Sequence, residues 1–322
     1  MLINLHSHLE GRVRPSTAAE LATALGLPAP MNGWERAIAL DAPGTLTQYL
    51  ERVAATYPFF RSTESVRRIA REAVIDAAST GHDHLELRFG PATHADDERQ
   101  LDDIVRAACE GLREAAAATG ISVGLVLAAL RHHDAETNER VAHAAARAAG
   151  NGVVGFDLAG DELLFPALEP HKPAFDIARS AGLGITCHAA EAGPAAAARQ
   201  AVELLGASRI GHGAHIVDDP DVLAWCADHG VVVEICPTSN VYTGAIRSLD
   251  EHPERAFRDA GVPLVLGDDN PVQTGTDLRH ERDLLAHEFG WTLDELTALD
   301  HMSVAAAFLE PGVRTRLQDQ LS

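Results

Sequence analysis

The chain has 322 residues, and its 46% hydrophobic content is enough for a sizeable apolar core. Asp and Glu number 47 against 26 Lys and Arg, so the formal net charge is −21. A surface this acidic repels phosphate backbones and anionic lipids, which argues against nucleic acid and membranes as partners.

Eight short segments rich in Val, Ile and Leu are predicted to be β-strands. They lack a strict alternation of apolar and polar residues, which is typical of parallel strands that are buried on both faces. In chain order they span residues 2–9, 84–90, 121–130, 153–160, 184–191, 209–216, 231–237 and 263–270.

The stretches between these strands are predicted to be helices. They are rich in Ala, Glu and Arg at helical spacing, as at residues 63–79, 102–118, 135–148 and 194–205. Glycines that end helices recur shortly before the strands, at positions 81, 120, 182, 206, 230 and 261. Eight strand–helix repeats predict a closed (β/α)8 TIM barrel, an α/β fold. Since no linker divides the chain, we predict one domain over residues 1–322.

Residues 15–60 depart from this repeat, because they add helices between the first and second strands. A long insertion at the carboxyl-terminal face of a barrel is where a lid over an active site would lie. We therefore predict that residues 15–60 form a helical insertion and a candidate lid.

The four cysteines show no C-x-x-C pair and no short-spaced framework, and they are Cys109, Cys187, Cys226 and Cys236. This usage fits a reducing compartment, with the cysteines as small buried residues. The amino terminus carries no basic-then-apolar signal, and no apolar run approaches the length of a membrane span. We expect a cytoplasmic protein.

Histidines and acidic residues are predicted at the carboxyl ends of several strands. His6 and His8 are two residues apart, so their side chains project to the same side of strand 1. His188 and His212 lie in strands 5 and 6, and Asp269 lies at the end of strand 8. Because these strand ends converge on one bowl, residues far apart in sequence can bind one ion.

Three imidazoles and one carboxylate suit zinc with an open position for water, although iron and manganese accept the same ligands. Such a metal lowers the pKa of bound water and so makes a hydroxide nucleophile near neutral pH. A nearby carboxylic acid and a further histidine would then manage the protons. This apparatus predicts hydrolytic attack on an electron-poor carbon.

Six ordered motifs resemble the adenosine deaminase family of metal-dependent amidohydrolase barrels. They cover nearly the whole chain: HSHLEG at 6–11, GFDLAGDE at 155–162, HAAE at 188–191, RIGHG at 209–213, CPTSN at 236–240 and GDDNP at 267–271. The resemblance implies one zinc ion held by His6, His8, His188 and one aspartate of strand 8.

The resemblance also implies the residues that act on the purine. Glu191 would protonate the ring nitrogen beside the attacked carbon, and His212 would orient the nucleophile and shuttle its proton. The backbone N–H of Gly160 would donate a hydrogen bond to a ring nitrogen of the purine. Tyr49 and Leu50 resemble part of an apolar helix that closes over the substrate in the family, although ordinary amphipathic packing explains them equally well.

Two aspartates compete for the metal position of strand 8. Alignment without a gap from Gly261 to Pro271 makes Asp269 the ligand and puts Asn270 where the family has a second aspartate that contacts the purine. A gapped alignment would make Asp268 the ligand. We favour Asp269, since the strand before it and the proline after it keep register, and we expect Asp268 to support the metal site from behind or to cap the next segment.

Three departures from the family pattern bear on the substrate. Glu10 stands where adenosine deaminases carry the aspartate that holds the ribose, Ala190 replaces a glycine beside Glu191, and Asn270 replaces the second aspartate. An asparagine amide can donate a hydrogen bond but cannot carry charge. From the extra methyl group of Ala190 we expect a narrower pocket or a tilted Glu191.

The sequence thus predicts a zinc-dependent hydrolase that releases ammonia from the 6-amino group of an adenosine-like purine nucleoside. The alternatives are a deaminase of adenine, aminodeoxyfutalosine or another modified nucleoside, and more distantly a non-catalytic barrel that binds a purine. The expected partner is a small-molecule purine, and the sequence does not predict an oligomeric state.

Overall fold

Eight strands follow one another in sequence order around one sheet, each parallel to the next. The computed structural model describes residues 1–321. The strands are β1 (Ile3–His8), β2 (His84–Phe89), β3 (Ser122–Leu130), β4 (Val153–Ala159), β5 (Gly184–Ala189), β6 (Arg209–His212), β7 (Val232–Ile235) and β8 (Leu264–Leu266). The predicted (β/α)8 barrel is confirmed.

The first strand and the segment after the last one close the sheet. The backbone N–H of His8 donates to the carbonyl of Asp269 at 2.7 Å, and the N–H of Asp269 donates to the carbonyl of His6 at 2.9 Å. Residues from the two ends of the sequence therefore lie next to each other at the carboxyl-terminal mouth of the barrel.

Helices separate the strands and pack on the outside of the barrel. Most of the apolar core lies between these helices and the strands. They are α1 (Pro15–Leu25), α2 (Gly33–Ile38), α3 (Leu46–Ala54), α4 (Thr63–Ser79), α5 (Glu98–Thr119), α6 (Ala135–Ala148), α7 (Lys172–Ser180), α8 (Ala196–Gln200), α9 (Pro220–Asp228), α10 (Pro237–Tyr242), α11 (Glu254–Ala260), α12 (Pro271–Thr274), α13 (Leu278–His287), α14 (Leu293–Ala306) and α15 (Pro311–Leu321). The helices predicted at 63–79 and 135–148 have the observed bounds.

Other predicted boundaries were wrong for local reasons. The helix predicted at 102–118 begins at Glu98, because the side chain of Asp97 accepts the N–H of Gln100 and caps it. The helix predicted at 194–205 ends as a π-helical turn over residues 201–205. The strand predicted at 209–216 stops at His212, which has the left-handed backbone angle φ 63°.

The predicted insertion contains α1, α2 and α3, and α3 lies at the mouth of the barrel. A capping box with Thr45 begins this helix, and its buried residues are Leu46, Tyr49 and Val53. Thr47 donates to a carboxylate oxygen of Asp161 at 2.7 Å, which ties the helix to the loop after β4. Helix α3 of the insertion therefore lies at the face where the strand ends converge.

A network of buried charges fills the barrel interior, and the sequence did not indicate it. Arg88 of β2 donates to Asp157 at 3.1 Å and to Glu234 at 2.9 Å, while Arg209 donates to Glu234 at 2.7 Å and to Glu86 at 2.6 Å. Because buried charged side chains lose their hydration, each needs an oppositely charged partner to offset the free-energy cost. The network also supports the strand-end residues above it.

All four cysteines are buried and free of disulfides, as predicted. Within residues 1–321, no helix combines the length and apolar character needed to cross a bilayer.

Candidate metal and substrate site

Three histidines and one aspartate converge at the mouth of the barrel. One potential ligand atom from each of His6, His8, His188 and Asp269 lies within 4.8 Å of the others. The Nε2 atoms of His8 and His188 are 3.1 Å apart, and an Asp269 carboxylate oxygen lies 3.3 Å from His8 Nε2 and 3.6 Å from His6 Nε2. Strands β1 and β5 and the segment after β8 thus bring together the four residues that the sequence singled out.

Carboxylates behind the ring orient two of these imidazoles. Nδ1 of His6 lies 2.7 Å from Glu234, and Nδ1 of His188 lies 3.0 Å from Asp157. Since a carboxylate only accepts, each Nδ1 carries the proton and each Nε2 presents a lone pair to the centre of the group. His6 Nε2 is buried and has no hydrogen-bond partner among the described residues, which is what a metal ligand needs.

The carboxylates of Asp269 and Glu234 outweigh burial and raise the pKa of His6. Burial keeps the other two imidazoles neutral and ready to bind a cation. It lowers the pKa of His188 to about 4 and holds the pKa of His8 well below its usual value. Neutral imidazoles and an ionised carboxylate are the forms that ligate metals. The donor set therefore fits a divalent metal such as zinc.

The two competing aspartates have different surroundings. Asp269 belongs to the candidate metal-binding group, by which we mean His6, His8, His188 and Asp269. Its backbone is left-handed, with φ 55°. Asp268 instead accepts Arg12 Nη2 at 2.5 Å, in an ion pair that is buried on both sides. Of the two aspartates, Asp269 is the one that lies among the three histidines.

Glu191 and His212 lie beside this group. Nε2 of His212 is 3.8 Å from the Glu191 carboxylate, and its Nδ1 is 3.0 Å from the side-chain oxygen of Asn240. Burial raises the pKa of Glu191, so the proton-bearing form is favoured more than in water. One carboxylate oxygen of Glu191 is buried with no partner in residues 1–321, which leaves it available to a ligand.

The loop that carries Glu191 is held by Glu162, whose role the sequence did not indicate. The carboxylate of Glu162 accepts four successive backbone N–H groups, those of residues 190–193, at 2.8–3.2 Å. Glu162 stands in one of the six motifs, but nothing in the sequence points to these partners.

Ala190 adopts a left-handed backbone with φ 53°, which explains why a glycine suits this position in the family pattern. Its N–H donates to Glu162, and its carbonyl accepts the N–H of His215 at 2.8 Å. The expected narrowing of the pocket is wrong, since Ala190 does not line the cavity. The extra methyl group instead costs backbone strain.

A cavity of about 330 Å³ opens above the metal-binding group. Helix α3 forms one wall with Leu46, Leu50 and Val53, and the ends of β2, β3 and β4 form much of the rest. All three residues that the sequence assigned to substrate binding line this cavity, namely Glu10, Gly160 and Asn270.

Glu10 is fixed on one side and open on the other. One of its carboxylate oxygens accepts the backbone N–H of Gly90 at 3.1 Å and lies 3.3 Å from Nε2 of His94. The other oxygen is buried and has no partner within the described chain. The sequence missed His94, which holds this carboxylate.

The Asn270 side chain is partly used within the site. Its Nδ2 donates to Asp269 at 2.8 Å, whereas its side-chain oxygen is buried without a partner in the part of the chain that the structure describes. His132 is exposed and also lines the cavity.

Comparisons with known proteins agree along the whole chain. A family model described as adenosine deaminase matches residues 2–322. An adenosine deaminase of Enterococcus faecalis is 32% identical over 322 residues, which cover 99% of this chain and 95% of the relative.

Solved structures share the fold over 99% of this chain. An adenine deaminase from Arthrobacter aurescens superposes with a TM-score of 0.89 at 23% identity and 97% coverage of its own chain. Arabidopsis ADAL in complex with IMP gives 0.88 at 27% identity and 95% coverage. A zinc-bound amidohydrolase from Burkholderia ambifaria gives 0.85 at 26% identity and 92% coverage.

Proposed function

This chain belongs to the adenosine deaminase family, whose members are metal-dependent hydrolytic deaminases, and we propose that it deaminates an unphosphorylated purine nucleoside such as adenosine. In this reaction water replaces the 6-amino group, which leaves as ammonia. The observation that carries the proposal is the position of Glu191 and His212 beside a metal-binding group in a cavity of nucleoside size.

The proposed metal is zinc, held by His6, His8, His188 and Asp269. Three imidazoles with one carboxylate support this choice, as does the zinc in the Burkholderia neighbour. When bound, zinc lowers the pKa of a coordinated water toward neutrality.

The protein's own groups handle the protons in this proposal. Glu191 donates a proton to the ring nitrogen beside the attacked carbon, and its raised pKa keeps that proton available. His212 takes up the proton of the attacking water, with its ring fixed by Asn240. The N–H of Gly160 and the side chain of Asn270 orient the purine from the cavity wall.

The charge of the cavity favours an uncharged substrate. Its described lining contains the carboxylates of Glu10, Glu51, Asp161, Glu191 and Asp269, and neither lysine nor arginine. A phosphate placed beside Glu10, Glu51 or Asp161 would be repelled by the like charge. Although ADAL was solved with IMP, the described cavity lining of this chain gives a phosphate no lysine or arginine to pair with.

A panel of substrates tests the proposal. We expect adenosine to be deaminated with a kcat/KM at least about 100-fold above that of AMP, since like charges held close cost several kcal/mol. Ammonia release from adenosine, AMP, adenine and aminodeoxyfutalosine, with metal content measured in parallel, checks this. No turnover of any of the four by the zinc-loaded protein would overturn the proposal, and AMP as the best substrate would overturn its charge argument.

Adenine is the second candidate, because glutamate rather than aspartate stands at position 10. The open carboxylate oxygen of Glu10 nevertheless supports a nucleoside, since a buried acceptor calls for a hydroxyl donor from the ligand. A free base carries no sugar hydroxyl to fill this role.

Glu10→Gln separates the two candidates. The amide can still accept the N–H of Gly90 but replaces the open oxygen with a donor, so we expect kcat/KM for adenosine to fall roughly 10- to 100-fold. Activity on adenine should stay unchanged. Glu51→Gln is the matched control, because Glu51 lines the same cavity but is exposed. Equal losses on adenosine and adenine would contradict contact between Glu10 and a sugar.

A further inference from the structure

Tyr49 carries a polar atom into the buried face of α3. The side chain is only 2% exposed, and the two other buried residues of this helix, Leu46 and Val53, are apolar. The Tyr49 hydroxyl donates to an oxygen of the Asp269 carboxylate, Oδ2, at 2.8 Å. The helix that covers the cavity therefore contacts the carboxylate of the metal-binding group directly.

The two oxygens of Asp269 face different partners. Oδ1 points toward His6 and His8, at 3.6 and 3.3 Å from their Nε2 atoms, and also accepts Asn270 Nδ2 at 2.8 Å. Oδ2 accepts Tyr49 and also Ser239 Oγ, which lies 2.5 Å away. Two hydroxyl donors on Oδ2 leave Oδ1 directed at the centre of the histidine group.

The backbone of Asp269 makes these side-chain contacts more important. Its φ of 55° is a strained angle for a residue other than glycine, and its main chain closes the barrel against β1. Groups that bond a metal ligand from behind fix its orientation, and their removal typically costs 10- to 100-fold in metal affinity or activity.

We propose that Tyr49 is a positioning residue that couples closure of α3 to metal retention. The hydroxyl reaches Asp269 only while α3 lies over the cavity, so a closed helix holds the carboxylate in its metal-facing orientation. By reciprocity, a bound metal favours the closed helix to the same extent. This inference depends on the proposed metal site, although it does not depend on which purine is the substrate.

Few bonds tie α3 and the loops beside it to the rest of the barrel. Besides Tyr49, they include the bond from Thr47 to Asp161 and, in the flanking loops, the bonds from the Leu40 N–H to the Gln273 carbonyl, from the Gly44 N–H to the Tyr242 carbonyl and from Thr56 Oγ1 to the Glu10 carbonyl. Most other side chains of α3 are partly or fully exposed. Among the described residues, Tyr49 is thus the one hydroxyl link from α3 to the metal-binding group.

Tyr49→Phe tests the coupling, since it removes only the hydroxyl. From the zinc-loaded protein we expect release of zinc to a chelator to be about tenfold faster than in the wild type. Tyr57→Phe is the matched control, because it removes a hydroxyl from the same cavity without touching Asp269, and its zinc release should stay at the wild-type rate. Equal release from Tyr49→Phe and the wild type would overturn the inference.

Hydrogen exchange of the wild-type protein gives a second readout that needs no variant. We expect amides of residues 46–54 to exchange faster after zinc is stripped. If the exchange rates in this segment do not change when zinc is removed, the coupling is also overturned. A wild-type chain that takes up no divalent metal would overturn the proposed function together with this inference, whereas a zinc-binding chain with an unaffected Tyr49→Phe overturns the inference alone.

Discussion

Glu191→Gln is expected to reduce kcat for ammonia release about a thousandfold while leaving zinc content unchanged. The amide matches the carboxyl group in shape but cannot give up a proton to the purine ring. Its loop is fixed by Glu162 through backbone N–H groups, so the substitution leaves the position of residue 191 intact. Steady-state ammonia release and metal analysis of the same preparation check both halves of this expectation.

The pH dependence of kcat/KM tests the same role of Glu191. Burial raises the pKa of Glu191, and the protonated carboxyl is the active form of a general acid. Wild-type kcat/KM should therefore decline as the pH rises through this pKa, and the residual activity of Glu191→Gln should lack that decline. Glu169→Gln, at an exposed site, is the control. A Glu191→Gln variant that kept the wild-type kcat would remove Glu191 from the mechanism.

The barrel could be predicted because its signals are local. Apolar runs of strand length, helical spacing between them and glycines at helix ends repeat along the chain, and the glycines named for this role all have positive φ. The grouping of three histidines with Asp269 followed from the barrel itself. Once the strand ends converge, His6 and His188 must lie close together although 182 positions separate them.

The supporting residues could not be predicted, because their partners come from distant loops or strands. Glu162 binds a loop almost thirty residues further along, and Arg88 pairs with Glu234 across the barrel interior. A charged residue in a buried strand indicates that it has a partner, but it does not indicate which residue that partner is. Tyr49 illustrates the same limit, since an apolar helix pattern accounts for its ring and says nothing about its hydroxyl.

Substitution at the two adjacent aspartates is expected to separate metal binding from stability. Asp269→Asn should remove tight zinc binding and lower the rate of deamination by a thousandfold or more. The metal stabilises the transition state by several kcal/mol, and its loss slows the reaction by roughly this factor. The amide has no charge to balance the cation and keeps only one acceptor oxygen for Tyr49, Ser239 and Asn270 to share. Zinc titration with the purified variant measures the first effect.

Asp268→Asn is the matched control, one residue away and with the same chemical change. It should keep one zinc per chain, because Asp268 lies outside the metal-binding group. It weakens the buried pair with Arg12, so we expect the free energy of unfolding to fall by about 3 kcal/mol in urea denaturation. The alignment without a gap requires this division. If Asp268→Asn loses zinc while Asp269→Asn retains it, the metal ligand is Asp268 and the register assigned to residues 261–271 is wrong.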